Sequence, residues 1–328
     1  MEYFVYHLCA ADNCVDLSHA AKCPLPFLSS MVEDCISVGK SATEGGAHYN
    51  FTGPQGVGVA NVGDSLMGIK KFVYDEKRIT MAQLKAALDS NFGGETTKPG
   101  AVSDDPSYAM VLAAVKKILA ENSQIDAEGI KESLGDNLGA TASGDLEQLR
   151  LALQNEAPKF GNDIDEVDML AREGALSYCS EVQKYTNPRG GQFQAGLYPV
   201  SINVLFGTMV GATPDGRKAG DALADGVSPV RGADTNGPTA ATNSVAKLDH
   251  FIASNGTLLN QKFHPAALQG DEGVKNLAAL VRSYFDRKGM HVQFNVVDRE
   301  TLMAAQKNPD QYRDLVVRVA GYSAQFIS

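Results

Sequence analysis

No window of the chain approaches the ~20 consecutive apolar residues that a membrane-spanning helix needs. The start, Met1-Glu2-Tyr3-Phe4, carries no basic region and no long apolar core, so no signal peptide is expected. Positive charge is in deficit: 29 Lys and Arg against 39 Asp and Glu give a net charge of −10. That balance disfavours a general nucleic-acid or anionic-membrane partner. Cysteines are few and odd in number, the five being Cys9, Cys14, Cys23, Cys35 and Cys179. Without a secretion signal they read as reduced thiols, and the expected compartment is the cytoplasm. There is no internal repeat. Nucleotide motifs are missing as well. Gly39-Lys40-Ser41 has the end of a phosphate loop, but Asp34 stands where its first glycine belongs. Gly53, Gly56 and Gly58 do not follow the G-x-G-x-x-G order of a dinucleotide site.

What is present is ordinary for a globular protein: 44% hydrophobic and 21% charged residues over a length of 328. Such a length suits one large domain or two smaller ones. Residues 1–22 have helical character, and Pro24-Leu25-Pro26 breaks it. A second helix is expected from about Phe27 to Val38, with Gly39 as its stop. The glycine-dense stretch 45–59 is expected to carry backbone close to backbone or to a substrate chamber. Asn61 to Phe72 reads as a helix. Thr80-Met81-Ala82-Gln83 has capping-box form and opens a helix to about Asn91. Residues 95–145, in which Asp105-Pro106 could start a helix, read as a small helical surface insert.

Asp163-Ile164-Asp165-Glu166 starts the next helix, continued by Val167, Leu170, Ala171, Ala175, Tyr178 and Val182. Cys179 falls inside it and is assigned to the core. From Asn187 to Asn260 the chain is rich in Gly, Pro and Asn, and long irregular segments of this kind line cavities. Gly196 to Phe206 reads as a loop feeding a strand. Val274, Leu277, Val281, Tyr284 and Phe285 mark a long helix that Gly289 stops. Strict alternation follows. Val292, Phe294 and Val296 take one face; His291, Gln293 and Asn295 take the other, as in a strand of a barrel with a polar interior. Asp298 caps a helix to about Gln306.

Cys9, Cys14, His19 and Cys23 give a C-x4-C-x4-H-x3-C spacing. Zinc accepts those ligand types, but the spacing is not that of common zinc sites, and buried thiols are the default reading. No metal is expected.

The chain closes on Leu315-Val316-Val317-Arg318-Val319-Ala320-Gly321-Tyr322-Ser323-Ala324-Gln325-Phe326, an apolar run of strand composition with Gly321 among larger residues. The bland reading is a bulge or tight bend. The chemical reading starts from the glycine α-carbon, which has two hydrogens and no Cβ. Loss of one hydrogen leaves a planar radical, delocalised between the flanking amide nitrogen and carbonyl. Val317, Val319, Tyr322 and Phe326 are expected to shield it.

Arg318 to Tyr322 resembles the glycyl radical signature of the glycyl radical enzymes. It follows His291 to Val297 and Tyr312-Arg313-Asp314 in the order that family shows. Further anchors are Pro24 to Met31, Phe160-Gly161-Asn162-Asp163, Tyr185 to Gly191, Gly211 to Gly216 and Ala224 to Pro229. The pattern is most similar to the cobalamin-independent glycerol and propane-1,2-diol dehydratases. Choline trimethylamine-lyase, isethionate lyase and hydroxyphenylacetate decarboxylase share much of it, and formate acetyltransferase is more distant. A radical-domain repair protein is a further alternative, though such a protein needs only the closing segment.

The resemblance implies an α/β fold, the C-terminal half of a ten-stranded α/β barrel ending in the glycyl radical loop. It implies a division into barrel segments 1–94 and 146–289, the insert 95–145, and a glycyl radical domain 290–328. Gly321 is the implied radical residue, and Tyr198 matches a tyrosine lining the substrate chamber. The implied partners are a radical-SAM activating enzyme with an iron–sulfur cluster, a small-molecule substrate, and a second copy of the full-length enzyme. No resident cofactor is implied. The family's thiyl Cys-Val-Glu motif does not occur here. The chain therefore resembles one half of an enzyme, and alone it is expected to lack turnover without the N-terminal half.

Overall fold

Glu2–Lys22 contains no glycine and no proline, and it forms the first helix, α1, of a computed structural model that describes residues 1–94, 143–319 and 321–326. Its inward face is narrow: Val5 and Cys9, one turn apart, are buried. Beyond it the helix expected from Phe27 to Val38 is split into α2, Pro26–Ser29, and α3, Cys35–Val38. Asp34 breaks it by taking a left-handed φ of 71°. There its carboxylate bonds His48 Nδ1 at 2.8 Å. Gly39 ends α3 at φ 69°, as its lack of Cβ permits.

Helix α4, Val59–Ile69, runs into a π-helical turn, Lys70–Asp75, that buries Phe72. Thr80 and Gln83 form the expected reciprocal cap of α5, Met81–Asp89. The helical-insert reading lies outside the described residues, apart from its end, which enters α6, Ser143–Asn155. Helix α7, Asp165–Val182, starts with three acidic residues, which suit the positive end of a helix dipole. It buries Val167, Ala171, Ala175, Tyr178, Cys179 and Val182 along one stripe.

The strand expected to end at Phe206 is a helix, α8, Ile202–Met209. A short apolar run suits a buried strand or a buried helix equally by period. Here Val200 at φ 55° and the Ile202 N–H donating to the Pro199 carbonyl turn the chain into a helix. Helix α9 spans Gly237–Ala246. Then β1, Asn260–Phe263, and β2, Gln293–Val296, pair in parallel, with α10, Gly270–Asp286, in the crossover. Asp298 caps α11, Arg299–Lys307, accepting from Thr301 N–H at 2.6 Å. The last two strands, β3, Val316–Val319, and β4, Tyr322–Gln325, form an antiparallel hairpin.

Among the described residues the strands make two two-stranded sheets. Isolated parallel bridges extend the first: Thr52 to Phe193, Gln55 to Gly196, and Leu197 to Thr257. Residues 52–55, 193–197, 257–263 and 293–296 thus form a row of parallel neighbours, and the described residues do not close a barrel.

The chain divides into two compact units. The first comprises 1–67, 158–203 and 223–328, with a core in which the α7 stripe meets Val5, Phe160, Phe193 and Leu259. The second comprises 68–157 and 204–222, with its own core of Phe72, Leu84, Phe92 and Leu153.

Candidate functional site

The closing hairpin places Gly321 in the turn between β3 and β4 at φ 91°. An L side chain rarely adopts that backbone, so the residue type is dictated locally. A Cβ built there would meet no atom within 4 Å, and Gly321 is exposed. The apolar shield expected around it is therefore not formed by the described residues. Val317 and Phe326 are themselves only half-buried, and the side chains of Val319 and Tyr322 lie outside the described set. The physical reason is that a lone hairpin has no second layer to lay over its turn.

What holds the hairpin is the polar face of β2. Asn295 Nδ2 donates to the Arg318 carbonyl at 2.9 Å, and its Oδ1 accepts from the Arg318 N–H at 2.8 Å. Two residues earlier on the same face, Gln293 Oε1 accepts from Arg318 Nη2 at 3.3 Å and from the Gly321 N–H at 3.4 Å. Gln293 Nε2 donates to Asn260 Oδ1 on β1, and Asn260 Nδ2 donates to Asp225 Oδ2. Burial pushes the Asp225 carboxyl above its ordinary range, against the pull of the Asn260 amide and Arg231. His291 precedes β2. Its imidazole is held below its ordinary value by burial and then by the Arg318 charge, and its Nδ1 is buried without a hydrogen-bond partner among the described residues. Along 291–296, Gln293 is buried and Val296 is exposed, while the other four residues are half-buried, Val292 among them against the core.

Tyr198 is half-buried, and its hydroxyl accepts from Asn255 Nδ2 at 2.9 Å. The same amide donates to the Gly53 carbonyl at 3.2 Å. A Cβ on Gly196 would sit 2.6 Å from the Tyr198 ring, so this glycine is what lets the ring approach the backbone closely. Gly53 is likewise pressed against Asn255, which agrees with the close approach expected of the 45–59 stretch. Tyr198 and Gly321 share no hydrogen-bond partner among the described residues.

The cysteine–histidine spacing in α1 does not converge, since Cys9 is buried while Cys14 and Cys23 are exposed. The buried-thiol reading therefore holds for Cys9 and fails for the other two. Burial and the carboxylates of Asp12 and Glu181 push the Cys9 thiol up to about 11. Cys179 is a core thiol, as read, held at about 12 by burial. Among the described residues, the carboxylates of Asp163, Asp165 and Asp168 do converge as metal ligands would. Lys247 Nζ lies 2.7 Å from each of them and supplies the cation. Sequence reasoning missed Lys247, which is too far along the chain for any spacing to flag. It placed Gln293 and Asn295 on the polar, interior-facing side of a strand but gave them no catalytic role.

The Pyruvate formate lyase-like family matches residues 1–207, and the Glycine radical family matches residues 223–327. The structure of a B12-independent glycerol dehydratase from Clostridium butyricum is 58% identical with a TM-score of 0.81, covering 99% of this chain and 35% of that one. A structure from Roseburia inulinivorans, described for 1,2-propanediol dehydration, is 49% identical with a TM-score of 0.81, over 99% of this chain and 35% of that one. Trans-4-hydroxy-L-proline dehydratase of Clostridioides difficile is 39% identical over 92% of this chain and 32% of its own length. The chain thus spans about a third of the length of these relatives. No helix among the described residues is long and apolar enough to cross a membrane.

Proposed function

Because the chain belongs to the glycyl radical enzyme family, we propose that it is the radical-bearing part of a dehydratase that removes water from a small diol, glycerol or propane-1,2-diol. Gly321 is the residue that stores the radical. The observation that carries this is Arg318-Val319-Ala320-Gly321-Tyr322 within the matched Glycine radical span, with its glycine in a turn at φ 91°. The diol is chosen over other substrates because of the 58% identity to a glycerol dehydratase.

At Gly321 one α-hydrogen passes to the radical of a radical-SAM activating enzyme. The carbon left behind becomes planar, drawing on the nitrogen lone pair and the adjacent carbonyl. An exposed turn without a Cβ gives an activating enzyme access to that hydrogen. Storage of the radical then calls for cover supplied from outside the described residues. Tyr198, fixed by Asn255, is the residue proposed to line the substrate chamber. The row of parallel segments from 52–55 to 293–296 is proposed to be part of a barrel wall around it. The assembled enzyme is proposed to be a cytoplasmic homodimer that needs, for turnover, the rest of the enzyme, since the chain spans about a third of its relatives' length and not the half expected from the sequence.

The test is scission. After anaerobic incubation with an activating enzyme, admission of air is expected to cut the backbone at residue 321, read by intact mass. The Gly321→Ala chain is expected to stay whole. A wild-type chain that survives aeration uncut after activation overturns the assignment.

A further inference from the structure

We propose that Asn295 and Gln293 are positioning residues for Gly321, the Asn295 carboxamide standing in for a neighbouring strand and the Gln293 carboxamide accepting from the Gly321 amide. This rests on Gly321 being the radical residue, and it goes beyond that by saying what holds it.

A strand beside β3 would offer Arg318 one acceptor for its N–H and one donor for its C=O. Asn295 offers both from one side chain, at 2.8 and 2.9 Å. The hairpin is thereby joined to β2 in one register. Residue 318 is fixed, and the turn that follows brings the Gly321 N–H to Gln293 Oε1 at 3.4 Å. The spacing needs a strand, since residues 293 and 295 share a face only in extended chain.

The orientation of the Gln293 amide follows from its neighbours. Asn260 turns its NH2 toward the Asp225 carboxyl and its oxygen toward Gln293, the orientation that an accepting Asp225 oxygen requires. Gln293 then donates to that oxygen and is left with its own oxygen facing Arg318 and Gly321. A carbonyl accepting from the Gly321 N–H polarises it. This makes the nitrogen a better donor to the carbon beside it, the carbon that carries the radical. The join consists of side-chain amides rather than a strand ladder, so a few hydrogen bonds decide whether the turn is seated or free.

The experiment is amide hydrogen–deuterium exchange on the whole chain, followed by mass spectrometry. In Asn295→Leu, peptides covering residues 316–326 are expected to exchange roughly tenfold faster or more, as loss of two neutral hydrogen bonds implies. Peptides from α7 are expected to be unchanged. Asn295→Asp keeps the acceptor for the Arg318 N–H and is expected to fall between wild type and Leu. If Asn295→Leu does not fold, the Asp variant and Gln293→Leu decide. Unchanged hairpin exchange in the folded variants overturns the proposal, as does equal loosening of α7. A second arm separates the two claims. Absence of an electron-spin resonance doublet from the wild-type chain activated together with the N-terminal portion of the enzyme sinks the radical reading and leaves the seating to be decided by exchange. A wild-type doublet whose N–H proton coupling is the same in Gln293→Leu sinks the role given to Gln293.

Discussion

Along α7, residues Val167, Ala171, Cys179 and Val182 have no exposed surface, and Ala175 and Tyr178 have little. The β3–β4 hairpin in the same unit has its turn residue exposed and its apolar side chains, where described, half-covered or exposed. One element is held by non-directional burial of area, the other by a few directional side-chain amides from β2. Burial spreads its stabilisation over many contacts, whereas the hairpin depends on Asn295 and Gln293. An element held in that way can be seated or released without disturbing the core. That suits a residue proposed to meet an activating enzyme and then return.

The comparison is broken most strongly from the α7 side. Phe160 is fully buried beside α7, and Phe160→Ala is expected to cost roughly 3–5 kcal/mol in denaturant unfolding. Next comes Lys247→Met. It strips the cation from Asp168, a carboxylate with no exposed surface, and leaves Ser244 Oγ as its donor. The loss is expected to be roughly 2–4 kcal/mol at neutral pH, at the lower side because Lys247 is partly exposed. Burial already raises the Asp168 carboxyl, so the folded form binds a proton more readily than the unfolded one. The deficit should therefore shrink as pH falls toward the ordinary carboxylate range, and urea midpoints at several pH values check this.

The third effect is alkaline. Burial holds the Cys179 thiol at about 12, against an ordinary value of 9.0. Between those limits the unfolded thiol loses its proton while the folded one keeps it, so folding stability falls as pH rises. The contribution is at most about 1.4 kcal/mol per pH unit. Cys179→Ala should flatten the slope of stability against pH above 9.0 by that amount, whatever its effect at neutral pH. The smallest effect belongs to the hairpin. Arg318→Ala is expected to shift global stability by no more than about 0.5 kcal/mol, because its side chain contributes hydrogen bonds to a half-exposed segment. A large shift would show that the hairpin is part of the core and would undo the contrast.

The α7 side of this comparison was legible in the sequence. Helical period, the acidic first turn and the central placement of Cys179 all point the same way. The caps at Thr80 and Asp298 were legible for the same reason: they are local. Ile202 to Phe206 was not, since a short apolar run has no period to separate strand from helix, and the turn at Val200 depends on its surroundings. Asp34 split a helix through a backbone conformation that no pattern announces. At the site, the residues Gly321 and Tyr198 came from resemblance, and the polar face of β2 from alternation. The partners of that face, Arg318, Asn260 and Asp225, lie far from it in sequence and became visible only in three dimensions. The apolar shield inferred from composition is not formed by the described residues, because neighbours in a hairpin strand do not fold over its turn.

The most direct measurement is electron-spin resonance of the chain after anaerobic treatment with a radical-SAM activating enzyme, on protein made with ordinary glycine and with α-deuterated glycine. A doublet from one α-hydrogen is expected, collapsing to a single line in the deuterated protein and absent from Gly321→Ala. A doublet that persists in Gly321→Ala would contradict the account.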